Sequence, residues 1–308
     1  MFSKKLLIPL LSLSLLVTPA YSSHAAENTE AVETSVEGQG MLSPSSSSEN
    51  SESVFNGSGA GTSSEPVTDE KLETILKQVQ SQLPAENGTW AVFISDLVNG
   101  TEGSLNDQKM QAASLIKLYI MGAVYENYDQ ITGQYGRDSV DSNLYSMITV
   151  SDNDAANTLT TYLGGGDSAA GMQAVNSFCQ AHGYDQTHMG RMLLASNEND
   201  DNYTSVGDCG HLLQEIYKQD TSGYTHAADM FNLLKAQTRC NKIPAQLPEG
   251  VKTANKTGEL DNVENDARII YDSKNDIVIV FMSQNLSSAG SAQNTIATLS
   301  RTIYDYYN

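Results

Sequence analysis

In the stretch QAASLIKLY, residues 111–119, one Ser and one Lys interrupt an apolar run that continues through IMGAV. Lys117 is the single cation between Lys109 and Arg137. Burying an ammonium is costly unless it is paired or gives up its proton. On a helix, Ser114 and Lys117 are three residues apart and share a face. Two more short stretches hold chemistry-bearing groups: SDN at 151–153 and KTG at 256–258, separated from the first by 37 and then 105 residues.

A Ser hydroxyl is a poor nucleophile until a neighbour takes its proton. Lys117 can do so once partly neutral, a state favoured by burial and by a second cation. Lys256 is the candidate for that cation, and it can also attract a substrate carboxylate. Ser151 is suited to relay a proton to a departing nitrogen, and Asn153 to hold a substrate amide. The backbone N–H groups of Ser114 and Glu259 can form an oxyanion hole. Taken singly the motifs are weak: Lys117 can snorkel, and Ser151 and Asp152 can simply cap a helix. All three in this order are far less easily met by chance.

These residues need a frame. DEKLETILKQVQSQL (69–83) has helical apolar spacing with acids in its first turn. TWAVFISDL (89–97) reads as a strand, and an Asn-Gly turn leads to a shorter strand near 101–106. Helices are expected at 114–126, on either side of 151–153, over SAAGMQAVNSFCQAHG, and near 205–218 and 227–238. LGGGDS (163–168) reads as a helix stop and not a phosphate loop, since no Gly-Lys-Ser/Thr follows. Residues 185–204 read as polar and irregular. ANKTG, DARIIYD and DIVIVFMSQ are strands, and AQNTIATLSRTIYDYY closes as a helix. Strands at both ends with helices between imply an α+β fold: one antiparallel sheet built from both termini, with an inserted all-helical subdomain.

The beginning, MFSKKLLIPLLSLSLLVTPAYSSHAAENT, has the charge, apolar core and small residues of a secretory signal peptide, expected over 1–26. Residues 27–66 are rich in Ser, Glu and Gly and read as a disordered linker. A globular domain is expected over 67–308, in an exported, extracytoplasmic protein without a membrane span. Net charge is −20, or −22 without Lys4 and Lys5, which argues against nucleic acid or an anionic membrane as partner. Cys179, Cys209 and Cys240 leave two readings open: a Cys209–Cys240 disulfide with one spare thiol, or three unpaired buried thiols. No metal-ligand spacing occurs, so neither metal nor other cofactor is expected. His182, His188, His211 and His226 read as ordinary surface or helix-end residues, and no G-x-S-x-G elbow accompanies them.

S-x-x-K, S-D-N and K-T-G are the signature of penicillin-recognising serine enzymes. With AASLIKL, MITVSDNDAANTL, ANKTGEL and VENDARIIYD, the chain resembles class A β-lactamases from about Trp90 to its end. That resemblance implies a three-layer α/β/α fold with a five-stranded antiparallel sheet. It implies acylation of Ser114 by β-lactams or D-Ala-D-Ala-like peptides, in a pocket lined by Lys117, Ser151, Asn153, Lys256 and Thr257, with Gly258 and Glu259 beside them. Asn157 matches a family Asn that braces the loop beneath the site. One position departs. The family's water-activating Glu follows a loop Arg by two residues, and alignment on Thr187 and Arg191 puts Leu193 there. Glu198, four residues before Asn202, is a displaced substitute.

The expected activity is therefore a serine hydrolase that opens β-lactams through an acyl-enzyme at Ser114, with slow release. A D-Ala-D-Ala peptidase or esterase acting on cell-wall peptides is the alternative, which Leu193 favours. A non-catalytic wall-associated module is the third, opposed by the complete Ser-Lys-Ser-Lys set. A monomer acting on a small β-lactam or a peptidoglycan peptide is expected.

Overall fold

The computed structural model describes residues 70–308. The expected signal peptide and linker lie outside the described residues. Helix α1 (Glu70–Gln82) buries Leu72, Ile75 and Val79, one stripe at helical spacing. Strands β1 (Thr89–Asp96) and β2 (Thr101–Leu105) form the expected hairpin. After the short β3 (Met110–Gln111), a 3-10 turn (Ala113–Leu115) leads into α2 (Ile116–Glu126). The helical lobe continues with α3 (Tyr128–Tyr135), α4 (Arg137–Thr149), α5 (Asn153–Leu163) and α6 (Ser168–Ala181). Following β4 (Tyr203–Thr204) come α7 (Val206–Tyr217) and α8 (Ala227–Lys235). Strands β5 (Lys252–Leu260), β6 (Val263–Tyr271) and β7 (Ile277–Gln284) and helix α9 (Ala289–Tyr307) complete the fold.

The sheet has order β2-β1-β7-β6-β5 and is antiparallel throughout. Strands from the two ends of the domain meet where β1 pairs with β7, as expected. Side chains alternate across a strand, and in β7 that period divides two cores. Ile277, Ile279 and Phe281 pack with α1 and α9, whereas Val278, Val280 and Met282 face the helical lobe. The sheet is covered on both faces, which gives three layers. Inside the lobe, α2 is buried along its length from Ile116 to Tyr125, so its apolar composition all round is that of a central helix.

Two elements escape the sequence pattern. Helix α3 has few apolar residues and continues α2 across Asn127. The β3–β4 pair is two residues long and joins Met110 to Thr204 and Gln111 to Tyr203. It ties the end of the 185–204 stretch to the chain just before Ser114. Of the two readings left open for the cysteines, the Cys209–Cys240 disulfide is not present: all three thiols are free, with Cys179 and Cys209 buried and Cys240 exposed in the loop beyond α8.

Candidate active site

Three chain turns deliver the polar cluster, and each carries a non-glycine residue in the left-handed region. Ala113 (φ +48°) precedes Ser114, Ser151 itself has φ +62°, and Leu194 (φ +67°) follows Leu193. Such residues cost free energy that surrounding packing must offset, and they concentrate where side chains are aimed for chemistry. Beyond Ser151, Asp152 turns away and caps α5, its carboxylate accepting from Ala155 N at 2.7 Å. The middle residue of SDN is thus structural, and the outer two face the cluster.

Lys117 is fully buried. Its Nζ donates to Ser151 O and Asn153 Oδ1, both at 2.7 Å, and lies 3.1 Å from both Ser114 Oγ and Ser151 Oγ. Burial pulls the ammonium down to about 8; the negative charge of Asp152 opposes this and the positive charge of Arg239 adds to it. The two nearest partners are carbonyl-type oxygens that can only accept. A neutral amine keeps its two hydrogens on them, and its lone pair remains for a hydroxyl, Ser114 or Ser151.

Lys256 comes from β5, the edge strand nearest the nucleophile. Its Nζ donates to Thr257 O at 2.7 Å and Ser151 Oγ at 2.9 Å. Burial, then the positive charges of Lys117, Arg239 and Lys242, holds it well below the usual lysine range. Ser151 Oγ therefore bridges two lysines. The two ammonium groups repel one another across Ser151, and Arg239, a residue outside the three motifs, adds a further positive charge that lowers Lys117.

Gly258 has a steric role. A Cβ there would sit 2.7 Å from Ala112 O and 3.1 Å from Ser114 N, so only glycine lets β5 lie against the nucleophile turn. Thr257 and Glu259 flank it, and both line a cleft of about 140 Å³ with Ser114, Ser151, Asn153 and Arg239. Since β5 pairs with β6 on one side alone, alternate N–H groups on its other edge are free of strand partners.

A second cavity of about 530 Å³ opens from Ser114 and Asn153 toward the 185–204 loop and the β5–β6 turn. Asn157 holds that loop as expected: its Oδ1 accepts from Leu193 N at 2.8 Å and its Nδ2 donates to Leu193 O at 3.0 Å. Arg191 Nε pairs with the buried Asp201 at 2.7 Å, and Gln111 Nε2 donates to the same carboxylate at 3.0 Å. Burial raises that carboxyl, but these bonds and the Arg191 charge reverse the effect and keep it below the usual range. Leu193 lines the cavity with Ser114 and is nearly buried. Glu198 is solvent-exposed and does not line it, so the loop does not bring that carboxylate to the site.

The structure thus gathers Ser114, Lys117, Ser151, Asn153, Lys256, Thr257, Gly258 and Glu259, and leaves out Glu198. Sequence reasoning missed Arg239 and Asp201. Arg239 sits in TRCNK, an irregular segment without period or motif; Asp201 lay in an acidic run that reads as solvated. His182, His188, His211 and His226 each pair with a carboxylate away from the cluster: Glu126, Asp200, Glu102 and Asp229 respectively.

Sheet order, helical lobe and the Ser-Lys-Ser-Lys cluster define the β-lactamase/transpeptidase-like class of serine hydrolase folds. The family model described as "Beta-lactamase enzyme family" matches residues 71–138 and 134–307, and the chain belongs to that family. Solved structures with the same fold include PBP-A, 22% identical, covering 76% of this chain and 96% of that one at a TM-score of 0.66. A β-lactamase from Sphaerobacter thermophilus DSM 20745 is 20% identical, covering 76% and 96%, at 0.62. An ancestral (GNCA) class A β-lactamase is 20% identical, covering 75% and 99%, at 0.65. No curated protein sequence gives a significant match.

Proposed function

We propose that the protein is an exported serine hydrolase that is acylated at Ser114 by β-lactams and releases the acyl group slowly. The observation that carries this reading is Lys117 Nζ at 3.1 Å from Ser114 Oγ, with two carbonyl-type acceptors engaging its other bonds. Ser114 Oγ attacks the carbonyl carbon as its proton passes to Lys117 Nζ. The new oxyanion lies between the N–H groups of Ser114 and Glu259. The proton then moves through Ser151 Oγ to the ring nitrogen as the C–N bond breaks. Asn153 Nδ2, free of the Lys117 bond made by its oxygen, donates to the substrate's acylamino group. Export rests on the signal-like N-terminus; among the described residues no helix is long and apolar enough to cross a membrane.

Release needs an activated water, and the wall where a carboxylate is expected carries Leu193. Leu193 also favours a second reading, a D-Ala-D-Ala peptidase or esterase. An opened β-lactam keeps its leaving amine tethered in the cleft, whereas a peptide's leaving group diffuses away and admits water. Incubation with a fluorescent penicillin should give a covalent adduct on the wild-type chain and none on Ser114→Ala. Absence of an adduct, or one that survives this substitution, overturns the acylation reading. Adduct lifetime separates the two activities: seconds for a β-lactamase, hours for a peptidase trapped by the drug.

A further inference from the structure

Glu259 follows KTG directly, and its carboxylate is divided between two cations. Oε1 accepts from Lys242 Nζ at 2.8 Å, and Oε2 from Arg239 Nη1 at 2.6 Å. Burial works to raise the Glu259 carboxyl, but Lys242, Arg239 and Lys256 outweigh it, so the group is held below its usual range and is ionised at neutral pH.

The cations around the site differ in availability. Lys117 and Lys256 are fully buried and turned onto Ser151. Lys242 is also fully buried and has a second carboxylate, Glu264, at 2.7 Å. Arg239 has a side chain 43% exposed and lines the cleft beside Ser114 and Ser151. A guanidinium offers a planar fork that suits a carboxylate better than an ammonium does. Here Glu259 already takes one of its nitrogens. Arg239, and not Lys256, is therefore the cation an incoming anion meets first.

We propose that Glu259 is an internal stand-in for a substrate carboxylate: it occupies Arg239 in the free protein, and a substrate anion reaches the guanidinium by displacing Oε2 while Oε1 stays on Lys242. The exchange swaps one carboxylate for another and leaves no buried cation uncompensated. Its consequence is specificity. Anionic small substrates meet an internal competitor, whereas substrates without a carboxylate near the scissile bond do not.

This proposal rests on acylation at Ser114 and is tested through it. Acylation rates of the full chain are compared for an anionic penicillin and its methyl ester, and the anion-to-ester ratio is read. Glu259→Gln removes the competing charge and keeps the side chain's shape, so the ratio should rise about tenfold, the size of one charge-assisted hydrogen bond. Arg239→Gln, in an exposed loop, should lower the ratio about tenfold, and adding Glu259→Gln to it should restore nothing. A ratio unmoved by Arg239→Gln overturns the proposal even where Glu259→Gln fails to fold. So does a ratio that falls in Glu259→Gln. Wild type that takes up neither compound overturns the acylation reading itself; labelling with an unmoved ratio overturns this inference alone.

Discussion

The two walls of the pocket are held with equal care and furnished differently. On the nucleophile wall, Ser114, Lys117, Ser151 and Lys256 form a chain of hydroxyl and amine groups, each within 3.1 Å of the next. On the loop wall, Asn157 makes two hydrogen bonds to the backbone of Leu193 and the Arg191–Asp201 pair anchors the neighbouring chain, yet the side chain presented is an isobutyl group. The loop's position is set through its backbone and through residues beside 193. A side chain that would activate water can therefore be absent without loss of the loop, and attack and release are separable properties of the fold.

Breaking the nucleophile wall should have the largest effect. Lys117→Met removes the proton acceptor and should slow acylation about a thousandfold, measured as the second-order rate of penicillin labelling. In the proposed mechanism the neutral amine is the active form. With Lys117 lowered to about 8, that form grows as pH rises toward 8 and saturates above it. Acylation should accordingly rise about tenfold from pH 6 to pH 7 and level off above pH 8. A flat profile over this range would show that another group takes the proton.

Next in size is the attempt to furnish the other wall. Leu193→Glu places a carboxylate at the position that Asn157 already holds, and should shorten the adduct lifetime about a hundredfold. Acylation should change much less. An unaltered lifetime in a folded Leu193→Glu protein would mean that the loop's shape, and not its missing carboxylate, limits release. Asn157→Ala removes both bonds to the Leu193 backbone and should cost about 2 kcal/mol, seen as a melting temperature lower by about 5 °C. The smallest effect belongs to Glu198→Gln. Its side chain points into solvent, so adduct lifetime should stay within about twofold; a clear lengthening would show that the loop swings that residue inward during turnover.

The short, β-branched apolar runs in TWAVFISDL and DIVIVFMSQ, the apolar run around Lys117 and the turn residues between them were enough to specify the antiparallel sheet, its closure by strands from both ends and the buried helix behind Ser114. These are local composition signals, enforced by burial, and they are written residue by residue. Short or marginal elements were less legible. The β3–β4 pair has two residues on each side and is stabilised by its position between Asn202 and the nucleophile turn, where Ala112 N donates to Asn202 O at 2.9 Å. Helix α3 packs through Tyr128, Ile131 and Tyr135 alone, too short a stripe to stand out among its polar residues.

For the site, residue type and order by themselves determined which groups the proposed chemistry uses, because nucleophile, base and relay must be a hydroxyl, an amine and a hydroxyl wherever the fold puts them. Tertiary structure decided how those groups are tuned. It brought Arg239 as well as Lys256 to bear on Lys117, turned Asp152 away as a helix cap, committed Glu259 to two cations and left Glu198 in solvent. Charge and hydrogen-bond effects of this kind fall off within a few ångströms and depend on burial. Spacing along the chain does not encode them, and only the folded arrangement of separate loops does.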